Sequence, residues 1–229
     1  MLMNYRKQRD LLEEECVKAG IDKKDVRHYW YKSKMFSLFA KPQQKTIQDL
    51  KDELIKGLDK HAPKYPTLKR KKITDNHLLV LDPADIHIGK LASDSETKDP
   101  YNNNIAVKRV NEGVDHILQR VQGFNIDKIV LIIGNDILHT DTTKRTTTSG
   151  TPQDTDGQWF DNFLIAKNLY VDIIEKLVTI ADVHVVHNAS NHDYMAGWYL
   201  AQTVEAWFKN SKNITFDTSI AHRKAFVYH

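Results

Sequence analysis

The sequence has a single cysteine, Cys16, so no disulfide can form within the chain. Long apolar runs are also missing. The longest, such as Ile129 to Ile133, fall far short of the roughly 20 residues that a membrane-spanning helix needs. Charges follow directly on Met1-Leu2-Met3-Asn4, where a secretory leader would carry its apolar core. A chain with no visible leader, no span and no cysteine pair is expected in a reducing cytoplasm, without a membrane partner. Leu, Ile, Val and the aromatics recur throughout. At 41% hydrophobic residues, wholesale disorder is excluded and a sizeable core is expected. The 229 residues suit one ample domain, or one domain with a smaller appendage.

The net charge of +3 conceals an asymmetry. Residues 1–75 hold 19 Lys/Arg against 11 Asp/Glu, and residues 76–229 hold 14 against 19. A basic front favours a polyanionic partner, and acids clustered in a globular remainder can collect metal cations. An ordinary solvated surface carries such charges too, so this split alone assigns nothing.

Residues 1–59 read as a small, mainly helical basic segment. Leu11, Leu12 and Cys16 share helical spacing up to Gly20, and a second short helix from Asp22 takes in Val26, His28 and Tyr29. This order resembles a helix-turn-helix, a pattern with many false positives. Trp30 to Phe39 interleaves aromatics with Lys32 and Lys34, which suits either a small core or stacking on bases. Ile47, Leu50, Leu54, Ile55 and Leu58 mark a third helix. Pro63, Pro66 and the run Lys69-Arg70-Lys71-Lys72 make residues 60–75 a linker.

From Asn76 to His229 strands and helices alternate. Strands are expected at Leu78–Leu81, Ile129–Ile133, Val183–His187, Ile214–Phe216 and Ala225–Tyr228. Helices are expected over 105–122, 158–180 and 197–209, with a long Thr-, Asp- and Gly-rich loop over 134–157. The pattern defines an α/β sheet domain, whose site belongs in the loops at strand ends. His184 and His187, within or beside a strand, read as packing residues.

Three successive strand ends carry metal-ligating side chains. The first leads into Asp85-Ile86-His87, the second into Gly134-Asn135-Asp136 with His139 close behind, and the third into Asn191-His192-Asp193. A carboxylate and an imidazole two residues apart offer mixed O/N ligation, which suits Mn, Fe or Zn better than Ca or Mg. Singly, each residue is as readily a cap or turn residue. In order, the three blocks resemble the calcineurin-like metallophosphoesterase superfamily, whose pattern runs Asp-x-His, Gly-Asp, Gly-Asn-His-Asp/Glu. Their flavour is closest to phage and prophage members related to DNA-repair exonucleases, some with a basic N-terminal segment similar to His28–Lys32.

The resemblance implies a β-sandwich flanked by helices and two divalent ions, Mn foremost with Fe or Zn as alternatives. Such ions, ~3.5–4 Å apart, clamp a phosphate and activate a bridging water for attack. It also implies roles. Asp85 and His87 bind the first ion, Asp136 bridges, and Asn191 binds the second. His192 protonates the leaving oxygen, with Asp193 orienting its imidazole. His139 becomes a second-layer or substrate contact. Apart from the resemblance, Thr140–Thr148 reads as a mobile substrate-side loop, where Lys144 and Arg145 are placed to meet a phosphate backbone. The implied substrate is nucleic acid, DNA above all.

The match departs in three places. Asn135 makes the second block one residue longer, and Ser190 replaces a glycine. The family's later His and Gly-His-x-His have no counterpart before His229, apart from a weak one in Tyr228-His229 and a weaker one in His222. A C-terminally incomplete sandwich is therefore expected. Three other readings stay open: a small-molecule phosphomonoesterase, a catalytically silent relic that binds nucleic acid or acts as a scaffold, and a helix-turn-helix regulator.

Overall fold

A computed structural model describes residues 12–14, 16–17, 29–32, 37–40, 63–71, 74–221 and 223–228. The chain forms two compact units, Met1–His61 and Ala62–His229.

In the first unit the aromatic and basic stretch forms an antiparallel hairpin. Strand β1 (Tyr29–Lys32) pairs with β2 (Ser37–Ala40), Trp30 opposite Phe39 and Tyr31 opposite Leu38. Tyr29, expected at the end of a helix, begins a strand instead. Aromatics at successive positions favour a pleated strand over a helix once a partner strand is at hand. Leu12–Glu14, Cys16 and Val17 are helical, as expected. The remaining residues of the expected helices over 22–28 and 47–58 lie outside the described ones.

The second unit is mixed α/β. Its sheet has the order β3 (Asn76–Leu81), β4 (Asn125–Gly134), β5 (Asp182–Asn188), β6 (Ile214–Asp217), every neighbour parallel. The crossovers carry helices α1 (Asp94–Thr97), α2 (Asn103–Arg120), α3 (Trp159–Val178) and α4 (Tyr194–Phe208). Each strand is added on the same side of the last. Successive right-handed crossovers in one direction therefore place α2, α3 and α4 on one face of the sheet. Burial agrees: Val183, Val185 and His187 are buried, whereas His184 and Val186 between them are only half-buried. The core joins Leu79, Leu81, Ile129, Leu131 and Ile133 of the sheet to Tyr170, Ile174 and Leu177 of α3 and Leu200 and Val204 of α4. On the opposite face Val80 is 57% exposed.

Two sequence expectations change. Ala225–Tyr228 forms no strand. That segment is held by side chains instead: Phe226 stacks on His184, Tyr228 donates its hydroxyl to Asp127, and Lys224 pairs with Asp217. Residues 63–71, expected in the linker, belong to the second unit. Tyr65 and Leu68 pack on its core, and the Asn213 amide bonds both Leu68 N and Leu68 O. Arg70 is not free for a polyanion. Its guanidinium donates to the carbonyls of Val178, Thr179 and Ile180 at the end of α3 and pairs with Asp182. These carbonyls have no partner within the helix and carry its negative dipole end, so a cation there is doubly favoured. Arg70→Ala is expected to lower stability by about 2 kcal/mol in urea unfolding. An unchanged midpoint would show that the latch is ornamental. Among the described residues, no helix is long and apolar enough to cross a membrane.

Candidate metal centre

Parallel strands bring all their C-terminal ends to one edge, so the loops after β3, β4 and β5 meet there. The first two run side by side beyond the regular ladder. Asp85 N donates to Asn135 O at 2.8 Å, His87 N to Asp136 O at 2.9 Å and Ile88 N to Ile137 O at 2.7 Å. Asp85, His87, Asn135 and Asp136 all adopt left-handed backbone, with φ of 53, 48, 54 and 63°. Asn, Asp and His are the side chains that tolerate this region best, yet each such residue costs of order 1 kcal/mol or more. Four together at one sheet edge mark a place where side-chain aim has been kept at the expense of backbone comfort.

The side chains converge. One oxygen or nitrogen each of Asp85, His87 and Asp136 fall within 4.8 Å of one another, as do nitrogens of His87, His139 and His192. His87 belongs to both groups and links them. Its Nε2 lies 3.7 Å from Asp85 Oδ1, and its Nδ1 lies 3.4 Å from His139 Nδ1. Asp136 Oδ1 accepts the backbone N–H of His192 at 3.2 Å, tying the second loop to the third. No hydrogen bond to Asp136 Oδ2 occurs among the described residues. Asn191, an exposed residue of the third loop, accepts Thr148 N through its backbone carbonyl at 3.3 Å and sits one residue from this tie. Lys144 and Arg145 are exposed, without an ion-pair partner among the described residues.

Burial and mutual repulsion disfavour the charged form of two of the imidazoles, His139 and His87. His139 is only 6% exposed, and burial, then the His87 and His192 rings, push it down to about 4. His87 is lowered too, by burial and then by His192, although Asp136 and Asp85 oppose the shift. A neutral imidazole is the form that binds a metal. The donor set thus fits a divalent cation: carboxylate oxygens and imidazole nitrogens that converge at one sheet edge. Mixed N/O donors suit Mn, Fe or Zn.

The His192 imidazole is oriented differently from the sequence expectation. Its Nδ1 lies 3.0 Å from His139 O. A carbonyl only accepts, so Nδ1 carries the hydrogen and Nε2 is the ring nitrogen left for other partners. Asp193 does not perform this task. It is 2% exposed, accepts Leu138 N at 2.8 Å and the Ser190 hydroxyl, and stands at the start of α4. Burial raises it to about 6, against the lowering by these two hydrogen bonds. Asp193 positions the second and third loops, and the carbonyl of His139 holds the ring.

Two residues of the site escaped the sequence reading. Asn135, taken there as an extra residue in a Gly-Asp motif, is a three-way brace. Its amide donates to both carboxylate oxygens of Asp82 at 2.9 and 3.0 Å, and its carbonyl accepts from the Asn188 side chain. Asp141, 9% exposed, accepts Met195 N at 3.0 Å, Ala196 N at 2.6 Å and the Thr148 hydroxyl at 2.9 Å. It therefore caps α4 from another loop. The only sequence signal was a lone acid in a Thr-rich stretch, because its two backbone partners on α4 lie 54 and 55 residues away.

The opposite shifts of His139 and Asp193 predict opposite pH effects on the metal-free protein. Unfolded His139 takes up a proton below 6.5, but folded His139 only near about 4. In that window the unfolded state binds more protons, so this group's contribution to stability falls as pH falls, by up to about 3 kcal/mol. Folded Asp193 keeps its proton up to about 6, against 3.8 in the unfolded chain. Its contribution is full below 3.8 and is lost as pH rises through about 6. Melts of chelator-treated protein from pH 4 to 7 should therefore show His139→Asn gaining on wild type towards the acid end. Asp193→Asn should gain towards the neutral end. Parallel profiles for either variant would refute the assignment for that group.

Comparison with protein-family models, curated proteins and solved structures finds no match for this chain.

Proposed function

We propose that the chain is a metal-dependent phosphoesterase of the calcineurin-like kind, cleaving phosphodiester bonds of nucleic acid, DNA foremost. The observation that carries the reading is the convergence of Asp85, His87 and Asp136 with His139 and His192 at one sheet edge. The ordered motifs add to it. So does the sheet, whose helices cover one face and leave the other for the second layer of such a sandwich.

Asp85, His87 and Asp136 would hold one divalent ion. Asp136, through its second oxygen, and Asn191, through its amide oxygen, would hold another. Mn is the first choice, with Fe or Zn as alternatives. Bound ions would supply charge neutralisation at the phosphate and a nucleophile at neutral pH. The protein's own groups do the rest. His192, its Nδ1–H fixed on the His139 carbonyl, would act through Nε2, which must first be protonated to give a proton to the leaving oxygen. Lys144 and Arg145 meet flanking phosphates, where counterion release makes binding salt-dependent.

The three-histidine cluster favours a second reading, in which His87, His139 and His192 hold a single ion as three-imidazole zinc sites do. His192→Ala separates the two. As a proton donor its loss spares metal binding in calorimetric titration and removes turnover, whereas as a ligand its loss removes both. The proposal as a whole requires that chelator-treated protein hydrolyse methyl p-nitrophenyl phosphate or single-stranded DNA after addition of Mn, Fe or Zn. No turnover with any of the three would sink it, and salt-dependent DNA binding would then point to the silent relic.

A further inference from the structure

Next to the cluster lies a cavity of about 510 Å³ that no step above uses. The 138–143 loop forms one side, and the first turns of α3 and α4 form the other. Ile88, Leu138 and Thr140 line it, the chain neighbours of His87 and His139. Asp141 fixes Met195, another lining residue, through the cap on α4. The cavity and the metal centre are thus parts of one braced structure.

Its lining is aromatic and apolar, with hydroxyls at one side. Trp159, Phe163, Met195 and Tyr199 contribute the apolar surface. Trp159 is 54% exposed and Tyr199 52%, an open aromatic surface that a protein leaves uncovered only at some cost. The Thr140 and Thr143 hydroxyls have no hydrogen-bond partner among the described residues. A second cavity, about 290 Å³, shares Met195 and Tyr199 and adds Trp198. His187 lines that one, and its Nδ1 is buried without a partner among the described residues. Aromatic platforms with unpaired hydroxyls suit a flat, heteroatom-edged ring system, and two adjoining cavities suit successive ones. The exposed cations Lys144 and Arg145 on the same loop would meet a strand's phosphates. Bases paired in a duplex present no free face, so the occupant is single-stranded.

We propose that the cavity between the 138–143 loop and the starts of α3 and α4 seats an unpaired nucleobase, stacked on Trp159 and Tyr199, and so sets the adjoining phosphodiester at the His87, Asp136 and His192 cluster. The placement rests on the phosphoesterase reading; the base site itself can be tested without it.

Two measurements on the full chain decide the matter. In Mn-loaded protein, Trp159→Ala should raise KM for the p-nitrophenyl phosphodiester of thymidine about tenfold, the scale of one lost base stack. KM for methyl p-nitrophenyl phosphate should stay unchanged, and Trp159→Phe should restore the nucleoside preference. A like change in both esters, or in neither, overturns the proposal. In metal-free protein, a single-stranded oligonucleotide carrying aminopurine should be quenched on binding by wild type and Trp159→Phe but not by Trp159→Ala, and the same sequence as duplex should not respond. Absence of quenching with wild type overturns the base site even where metal-dependent hydrolysis is found. Quenching without hydrolysis supports the base site and sinks the phosphoesterase reading alone.

Discussion

Asp136→Asn is expected, on the proposed mechanism, to lower Mn-dependent phosphodiester turnover by on the order of a thousandfold while leaving the fold intact, because it would remove several kcal/mol of metal-mediated stabilisation of the transition state. The substitution is close to a single-atom test. An asparagine keeps an oxygen to accept His192 N, now 3.2 Å from Asp136 Oδ1, so the tie between the second and third loops survives. It loses the negative charge and turns the oxygen without a described partner into an amide group that cannot ligate. Turnover of methyl p-nitrophenyl phosphate across a Mn titration measures the loss, and far-ultraviolet circular dichroism on melting checks the fold. A variant within tenfold of wild type, melting normally, would mean that Asp136 bridges nothing.

The contrast between Asp136 and Asp193 shows what the sequence could and could not reveal. Both are acids just past a parallel strand, in motifs of similar appearance. Residue type and order placed both near the site, and both are there. Their roles depend on which groups surround the carboxylate. Asp136 keeps one oxygen clear of protein donors, whereas Asp193 is buried against Leu138 N and Ser190. Likewise the orientation of His192 is set by a backbone carbonyl, His139 O, which no side-chain pattern encodes. His139 itself was placed near the site by its spacing from Asp136. Its close approach to His87 follows from the parallel run of two loops, which becomes visible only once β3 and β4 are paired.

The fold was legible where apolar periodicity is strong. Ile129 to Ile133 and Val183 to His187 lie inside β4 and β5, and the helical face Ile105, Val110, Val114, Ile117, Leu118, Val121 falls on α2 apart from its last residue. Ala225–Tyr228 has strand-like composition too, but a strand needs a neighbour's hydrogen bonds. Here Phe226 and Tyr228 find side-chain partners instead. The docking of Tyr65, Leu68 and Arg70 was hidden by composition. Prolines and a run of cations read as a solvated linker, and only the exposed carbonyls at the end of α3 give Arg70 a place to go.

Gly134→Ala is expected to destabilise the second unit by more than about 4 kcal/mol, enough to abolish a cooperative melt at ordinary temperatures. Gly134 ends β4, pairs with Asn188 of β5 and has φ of 152°, a backbone conformation that L side chains rarely adopt. A Cβ there would meet Asn188 O at 1.8 Å and Asn188 C at 2.7 Å. Both are backbone atoms, so no rotamer change relieves the clash. The two strands would have to part at the point where Asn135 N donates to Asn188 O at 3.3 Å and the Asn135 side chain joins all three loops. The damage should therefore reach the Asp85, His87 and Asp136 cluster before the rest of the sheet. Mn affinity should fall in any fraction that still folds, while the helical circular dichroism of α2 and α3 persists longest. Gly123→Ala supplies the control, since its φ of 102° carries the backbone penalty with open space around the added carbon. A loss of about 1–2 kcal/mol there against more than twice that at Gly134 would assign the difference to the strand contact. Equal losses would mean that strained backbone alone, not the close approach of β4 to β5, makes the glycine necessary.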